Sequence, residues 1–256
     1  MQSILRTNTQ LPVGEQLKLL GELRSAIVAH SDFLSSKHRD GQQFVDGLLA
    51  SIEAFKARAD EAIVESSEAK EAVSVRAALY NDAREHIRQS KARAKMVAEM
   101  IEDDEGGGVL GVTLLRDYGV RGNQLGLSRT SHVERLLARV VTAHQRHGAL
   151  MQEWGVTPEF IARGEGLRGR LAPSHDAVSK ERGEAELAVQ RRNEAEEAAV
   201  KLTNRAITLV ETFQSGAPRA LADFQSVLNK YRAKLTRGGE EGPAGDGGGE
   251  SGGGEA

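Results

Sequence analysis

From Asp40 to Asp104 the chain runs for roughly 60 residues without a proline, and after Gly47 no glycine occurs until Gly106. Few folds accept such a stretch. Phe44, Leu48, Ile52, Phe55, Ala59, Ala62, Val73, Ala77, Tyr80, Ile87, Ala94 and Ile101 recur through it along one stripe at the helical period. The pattern predicts one continuous helix from about Gly41 to Asp104, about 90 Å long at 1.5 Å per residue. Asp40 and Gln43 supply a capping-box pattern at its start.

The segments around it read the same way. Pro12 suits a first helical position, and Leu17, Leu20, Leu23, Ile27 and Leu34 continue at helical spacing. After the glycine run at 106–108, a short apolar piece closes at Tyr118-Gly119-Val120, and Trp154-Gly155-Val156 repeats that ending. An aromatic, a glycine and an apolar residue in that order suit a helix end with a left-handed glycine. Ser131 and Glu134 form a stronger capping box, and Thr157-Pro158-Glu159 opens a further helix. Pro173 should interrupt that helix, because proline cannot continue the hydrogen-bond ladder. Ser215-Gly216-Ala217-Pro218 marks a stop and a restart, followed by an apolar face of Leu221, Phe224, Val227, Leu228 and Tyr231.

The chain is also self-similar at a spacing of 112–114 residues. Leu23 to His30 aligns with Leu137 to His144, Asn81 to Glu85 with Asn193 to Glu197, and Arg93-Ala94 with Arg205-Ala206. The expected organisation is a loose lead-in at 1–11, a first helical half at 12–120, a linker at 121–130 and a second half at 131–237. A Gly-rich acidic tail follows at 238–256, for which disorder is expected. The fold class is all-α: an elongated antiparallel bundle of about six helices in two pseudo-equivalent halves. The run from Glu197 to Leu235, a long amphipathic helix, a glycine break and a short helix ending in Asn229-Lys230-Tyr231, resembles a group of uncharacterised bacterial proteins with duplicated long-helix halves. That resemblance implies a helical architecture and no activity.

Composition narrows the function classes. Aromatics are 4% of the 256 residues, so Ala, Val and Leu dominate the apolar content and suit close helix packing. With no cysteine, disulfides, thiolate metal sites and cysteine nucleophiles are excluded, and a reducing, cytoplasmic location is expected. No apolar run is long enough for a secretory signal or a membrane span. A net charge of −3 argues against general affinity for nucleic acid or anionic membranes.

No catalytic pattern emerges. None of the seven histidines has a glutamate three residues before it, as a carboxylate-bridged dimetal bundle would need. His30, His144 and His147 are the weak candidates for a zinc cluster. Gly164-Glu165-Gly166-Leu167-Arg168-Gly169 imitates a dinucleotide fingerprint, but it lies in a helical context with no preceding strand. Arg84, Arg88, Lys91 and Lys95 line one side of the long helix with Arg93 nearby, the kind of row that phosphate binding uses. Asp82, Glu85 and Glu99 flank that row, and no aromatic residue interleaves for base stacking. The expectation is a non-catalytic structural or protein-interaction module without cofactor or small-molecule substrate, which associates with itself or with a protein partner. The alternatives are an anion or nucleic-acid binder using the basic row and a metal-binding bundle.

Overall fold

The structure is a computed structural model and describes residues 11–102, 107–121 and 126–237. The lead-in up to residue 10, residues 103–106, part of the expected linker and the tail at 238–256 lie outside the described residues. The fold is an all-α bundle. Its helices are α1 (Val13–Ala29), α2 (Ser31–Lys37), α3 (Gln42–Glu102), α4 (Gly107–Asp117), α5 (Thr130–Met151), α6 (Pro158–Thr212) and α7 (Pro218–Arg237). Short 3-10 turns follow α5 and α6.

Helix α3 is continuous for 61 residues, as its unbroken stripe predicts. Gly41 enters it at φ 56°, a backbone conformation that glycine adopts without strain. The left-handed endings also form as expected, with Gly119 at φ 68° and Gly155 at φ 80°. Val120 N–H donates to Leu115 O (2.8 Å) and Gly119 N–H to Arg116 O (3.0 Å), the paired bonds of a Schellman motif. Val156 and Gly155 make the same pair to Met151 and Gln152.

Two local expectations are corrected. Pro173 does not interrupt α6, which runs for 55 residues with the proline inside. Pro173 and Gly169, whose carbonyl would take the missing bond, both sit on the exposed side, where water can serve that carbonyl. The Ser131 capping box does not form: α5 begins at Thr130, its N-cap is Arg129, and no side chain caps it. Glu134 is engaged elsewhere, by Tyr80 and His175.

The chain forms two compact units. One holds the chain up to Val64 and from Glu186 onward, and the other holds Glu65–Ala185. These are not the contiguous halves expected at 12–120 and 131–237, because each long helix gives one part of its length to each unit. The first unit holds α1, α2, the start of α3, the end of α6 and α7, and the second holds the end of α3, α4, α5 and the start of α6. In the first unit Leu20, Leu23 and Ile27 of α1 pack with Leu48 and Phe55 of α3, Val210 of α6 and Phe224 of α7. In the second, Ile87 and Val97 of α3 pack with Leu114 of α4, Leu137 and Val140 of α5, and Leu167 of α6. Burying side chains of this size stabilises by about 1.5–3 kcal/mol each.

Candidate functional site

The chemistry-bearing side chains concentrate in the second unit, and most of them hold one another. His144 of α5 is 1% exposed. Its Nε2 lies 3.1 Å from Ser90 Oγ and its Nδ1 2.8 Å from the Tyr118 hydroxyl. Ser90 spends its own proton on the carbonyl of His86, 2.8 Å away. His144 must therefore donate from Nε2 to Ser90 and accept at Nδ1 from Tyr118. That tautomer is the reverse of what a serine nucleophile requires, since the base would have to accept the serine proton. Ser90 is also fully buried. The trio is a satisfied polar network that ties α3, α4 and α5 together.

His86, also 1% exposed, has no hydrogen-bond partner on either ring nitrogen. Its ring stacks on Phe160 at 4.3 Å and meets His144 edge-on at 5.7 Å. Nε2 points at Gly164, where a Cβ would lie only 2.5 Å away. The glycine of the false dinucleotide fingerprint is thus a notch that admits this ring. On the other side Arg93 spreads its guanidinium over Phe160 at 4.1 Å, with Nη1 buried and unpartnered. Burial, with help from the charges of Arg163 and Arg93, pushes the His86 pKa down to about 4. Burial, then the proximity of His86 and Arg93, pushes His144 down to about 4 as well. Both rings are neutral at pH 7.

A second, half-exposed constellation joins three helices of this unit. Tyr80 of α3 donates its hydroxyl to Glu134 of α5, and His175 Nε2 of α6 lies 2.7 Å from that hydroxyl and 3.0 Å from Glu134 Oε1. The hydrogen bond from Tyr80, supported by His175, holds Glu134 below the usual carboxylate range. Burial, then the hydrogen bond to Glu134, pushes Tyr80 up to about 12. Periodicity cannot reveal this group, since its members are far apart in the chain. Only the capping-box pattern singled out Glu134.

The metal candidates are not brought together as a set. His30 belongs to the first unit and pairs with Asp223 at 2.7 Å. Both nitrogens of His144 are occupied, and His147 bonds Asp117 at 3.0 Å. A different trio, Glu65, Glu68 and Glu181, places carboxylate oxygens within 4.8 Å of one another. Lys180 neutralises part of it through Glu181 at 3.6 Å.

The basic row is largely engaged. Arg84 donates to Leu127 O (2.9 Å) and Asn81 Oδ1 (2.8 Å), while Arg88 pairs with Glu85 and Lys95 with Glu99, each at 3.6 Å. Arg93 turns inward over Phe160. Lys91 is half-buried, and burial, then the nearby charge of Arg139, lowers its pKa. An open groove of about 290 Å³ lies beside Asp117, Arg139 and Arg146. Arg139 donates there to the carbonyls of Arg116 and Asp117 at the end of α4.

One feature of this unit has no internal use. Helix α4 buries Leu114 and Leu115 but leaves Val109 80% exposed. Leu110 and Val112 of α4, with Met96 and Met100 near the end of α3, are each between 42% and 51% exposed. Helical periodicity gave no warning of this face, because α4 is apolar on both sides. No protein-family model, no curated protein and no solved structure matches the chain.

Proposed function

We propose that this chain is a non-catalytic helical interaction module, which acts inside the cell in a reducing compartment and engages a protein through the α3–α4 end of its second unit. The observation that carries the reading is the exposure of five large apolar side chains, Met96 and Met100 near the end of α3 and Val109, Leu110 and Val112 on α4. A surface helix normally keeps such residues on its core side and polar ones outside, and clustered exposed apolar groups mark contact surfaces. The face is not a membrane span, since α4 has 11 residues and no helix among the described residues is long and apolar enough to cross a bilayer. The histidine and tyrosine groups support the reading from the other side. They serve each other and the packing of α3 to α6, and so position the face.

The test is a photo-crosslinking side chain placed at Val109 in the cells that make the protein, with position 180 on α6 as the comparison. Covalent adducts at 109 and few at 180 are expected. Equal, sparse labelling at both positions refutes the reading.

A further inference from the structure

We infer that Tyr80 Oη, Glu134 Oε1 and His175 Nε2 are three adjacent ligands of an iron ion that ties α3, α5 and α6 together at the surface of the second unit. The ground is the shape of the cluster. His175 Nε2 lies 2.7 Å from Tyr80 Oη and 3.0 Å from Glu134 Oε1, and Tyr80 Oη bonds that same carboxylate oxygen. The three atoms close a triangle. With Glu134 ionised, only the Tyr80 hydroxyl and Nε2 can bring a proton, so at least one edge has none of its own. Hydrogen bonding by itself favours a chain, each proton on its own donor–acceptor line. His144 is built that way, with Ser90 on one ring nitrogen and Tyr118 on the other. A metal ion above the triangle serves all three atoms at once.

The spacing and the chemistry select the ion. Neighbouring ligands of an octahedral ion with bonds of about 2.1 Å lie roughly 3 Å apart, and those of a tetrahedral zinc roughly 3.3 Å apart. The triangle fits an octahedral face. A phenolate and a carboxylate are hard anionic ligands and an imidazole is borderline, a set that suits iron. On binding, the Tyr80 hydroxyl proton leaves to solvent and His175 keeps its ring proton on Nδ1. The Glu134 and His175 side chains are 42% and 41% exposed, so solvent oxygens can reach the remaining positions. Arg84, one turn on from Tyr80, is engaged by the Leu127 carbonyl and Asn81 rather than by Glu134. The first unit supplies a contrast. There Glu22 also accepts from a tyrosine, Tyr231, but its third partner is the Lys230 ammonium, which has no lone pair to give a metal.

The test uses the untagged full-length chain, stripped with a chelator and titrated at pH 7 with ferric nitrilotriacetate. Ferric phenolates absorb in the visible, and the chain has three tyrosines, so the band identifies the ligand. A visible band that saturates at one iron per chain and survives gel filtration is expected. Tyr80→Phe should lose the band, while Tyr231→Phe should keep it. Glu134→Gln and His175→Gln should each weaken iron binding on the order of tenfold or more. Iron should also raise the thermal midpoint of the parent and leave that of Tyr80→Phe in place, because the ion binds the folded chain alone. Trp154 emission verifies that each variant folds. No band at one equivalent, or a band that persists in Tyr80→Phe, overturns the inference. Iron retained without a band, equally by the parent and Tyr80→Phe, assigns it to exposed carboxylates such as Glu65, Glu68 and Glu181 and overturns it too. None of these outcomes depends on the exposed side chains of α4, so the interaction reading stands or falls separately at position 109.

Discussion

Lowering the pH from 7 to 4 should unfold the second unit while the first is still folded. Both buried histidines, His86 and His144, belong to the second unit. Their pKa values fall from 6.5 to about 4 on folding. A depressed folded value means that the unfolded chain binds the proton more tightly. The stability these rings contribute is therefore complete above about pH 6.5 and is lost as the pH falls toward 4. At about 1.4 kcal/mol per decade, each ring loses about 2 kcal/mol by pH 5 and about 3 kcal/mol by pH 4. Two rings together lose about 6 kcal/mol, comparable with the whole stability of a small domain at 5–15 kcal/mol. The sum is an upper figure, because protonating one ring hinders the other, 5.7 Å away. Trp154 is the single tryptophan and lies in the second unit, so its emission reports that unit. Urea midpoints from Trp154 emission should fall as the pH is lowered from 7 to 5, with the slope approaching that of two protons taken up on unfolding. His86→Leu should roughly halve that slope, whatever its effect on absolute stability. Hydrogen exchange at pH 4.5 should show α5 and the start of α6 open while α1 and α7 are protected. A Trp154 midpoint that is flat down to pH 5, or a slope untouched by His86→Leu, would refute the argument that these two rings set the acid response.

Gly164→Ala should destabilise the second unit by about 1–3 kcal/mol, because its Cβ would sit 2.5 Å from a buried ring that cannot retreat. Gly166→Ala, with nothing within 4 Å, should stabilise by about 0.5–1 kcal/mol, and Trp154-monitored urea unfolding reads both. Tyr80→Phe removes the hydroxyl shared by Glu134 and His175 and should cost about 1–2 kcal/mol, read the same way. Ile87→Asp puts an unpaired charge at a fully buried position and should leave the second unit unfolded at pH 7, with Trp154 emission shifted to the red and α1 exchange unaffected.

Periodicity and punctuation were enough for the helices, and they said little about how the units close. The stripe through Phe44, Leu48, Ile52 and Phe55 is buried as read, and Gly119, Gly155 and Pro218 end or begin helices where their backbone preferences put them. Pro173 was misread because the cost of an internal proline depends on whether the freed carbonyl faces water, which a single sequence does not display. The same limit applied to the units. That Asp223 meets His30, or that His175 meets Tyr80 and Glu134, depends on which stretch of each long helix reaches which opening helix. A repeat spacing does not encode that. The histidines show it most sharply. From sequence His30, His144 and His147 are equivalent members of a weak metal set, whereas His144 is an internal strut and the others are edge groups held by Asp223 and Asp117. His86 and Gly164, the pair that shapes the second core, carried no motif between them that pointed to each other. The face on α4 was legible in the letters Val109, Leu110 and Val112, but only burial of Leu114 and Leu115 showed which side remained open.

Methionine oxidation tests most directly whether that open face is used. Met96 and Met100 are 42% and 51% exposed in the chain alone, while Met151 is fully buried and serves as the internal reference. Brief peroxide treatment of the dilute purified protein should oxidise Met96 and Met100 rapidly and Met151 slowly. In the cells that make the protein, Met96 and Met100 should be protected several-fold against that dilute standard, with Met151 unchanged. Oxidation of Met96 and Met100 in cells at the rate of the dilute chain would contradict the use of that face.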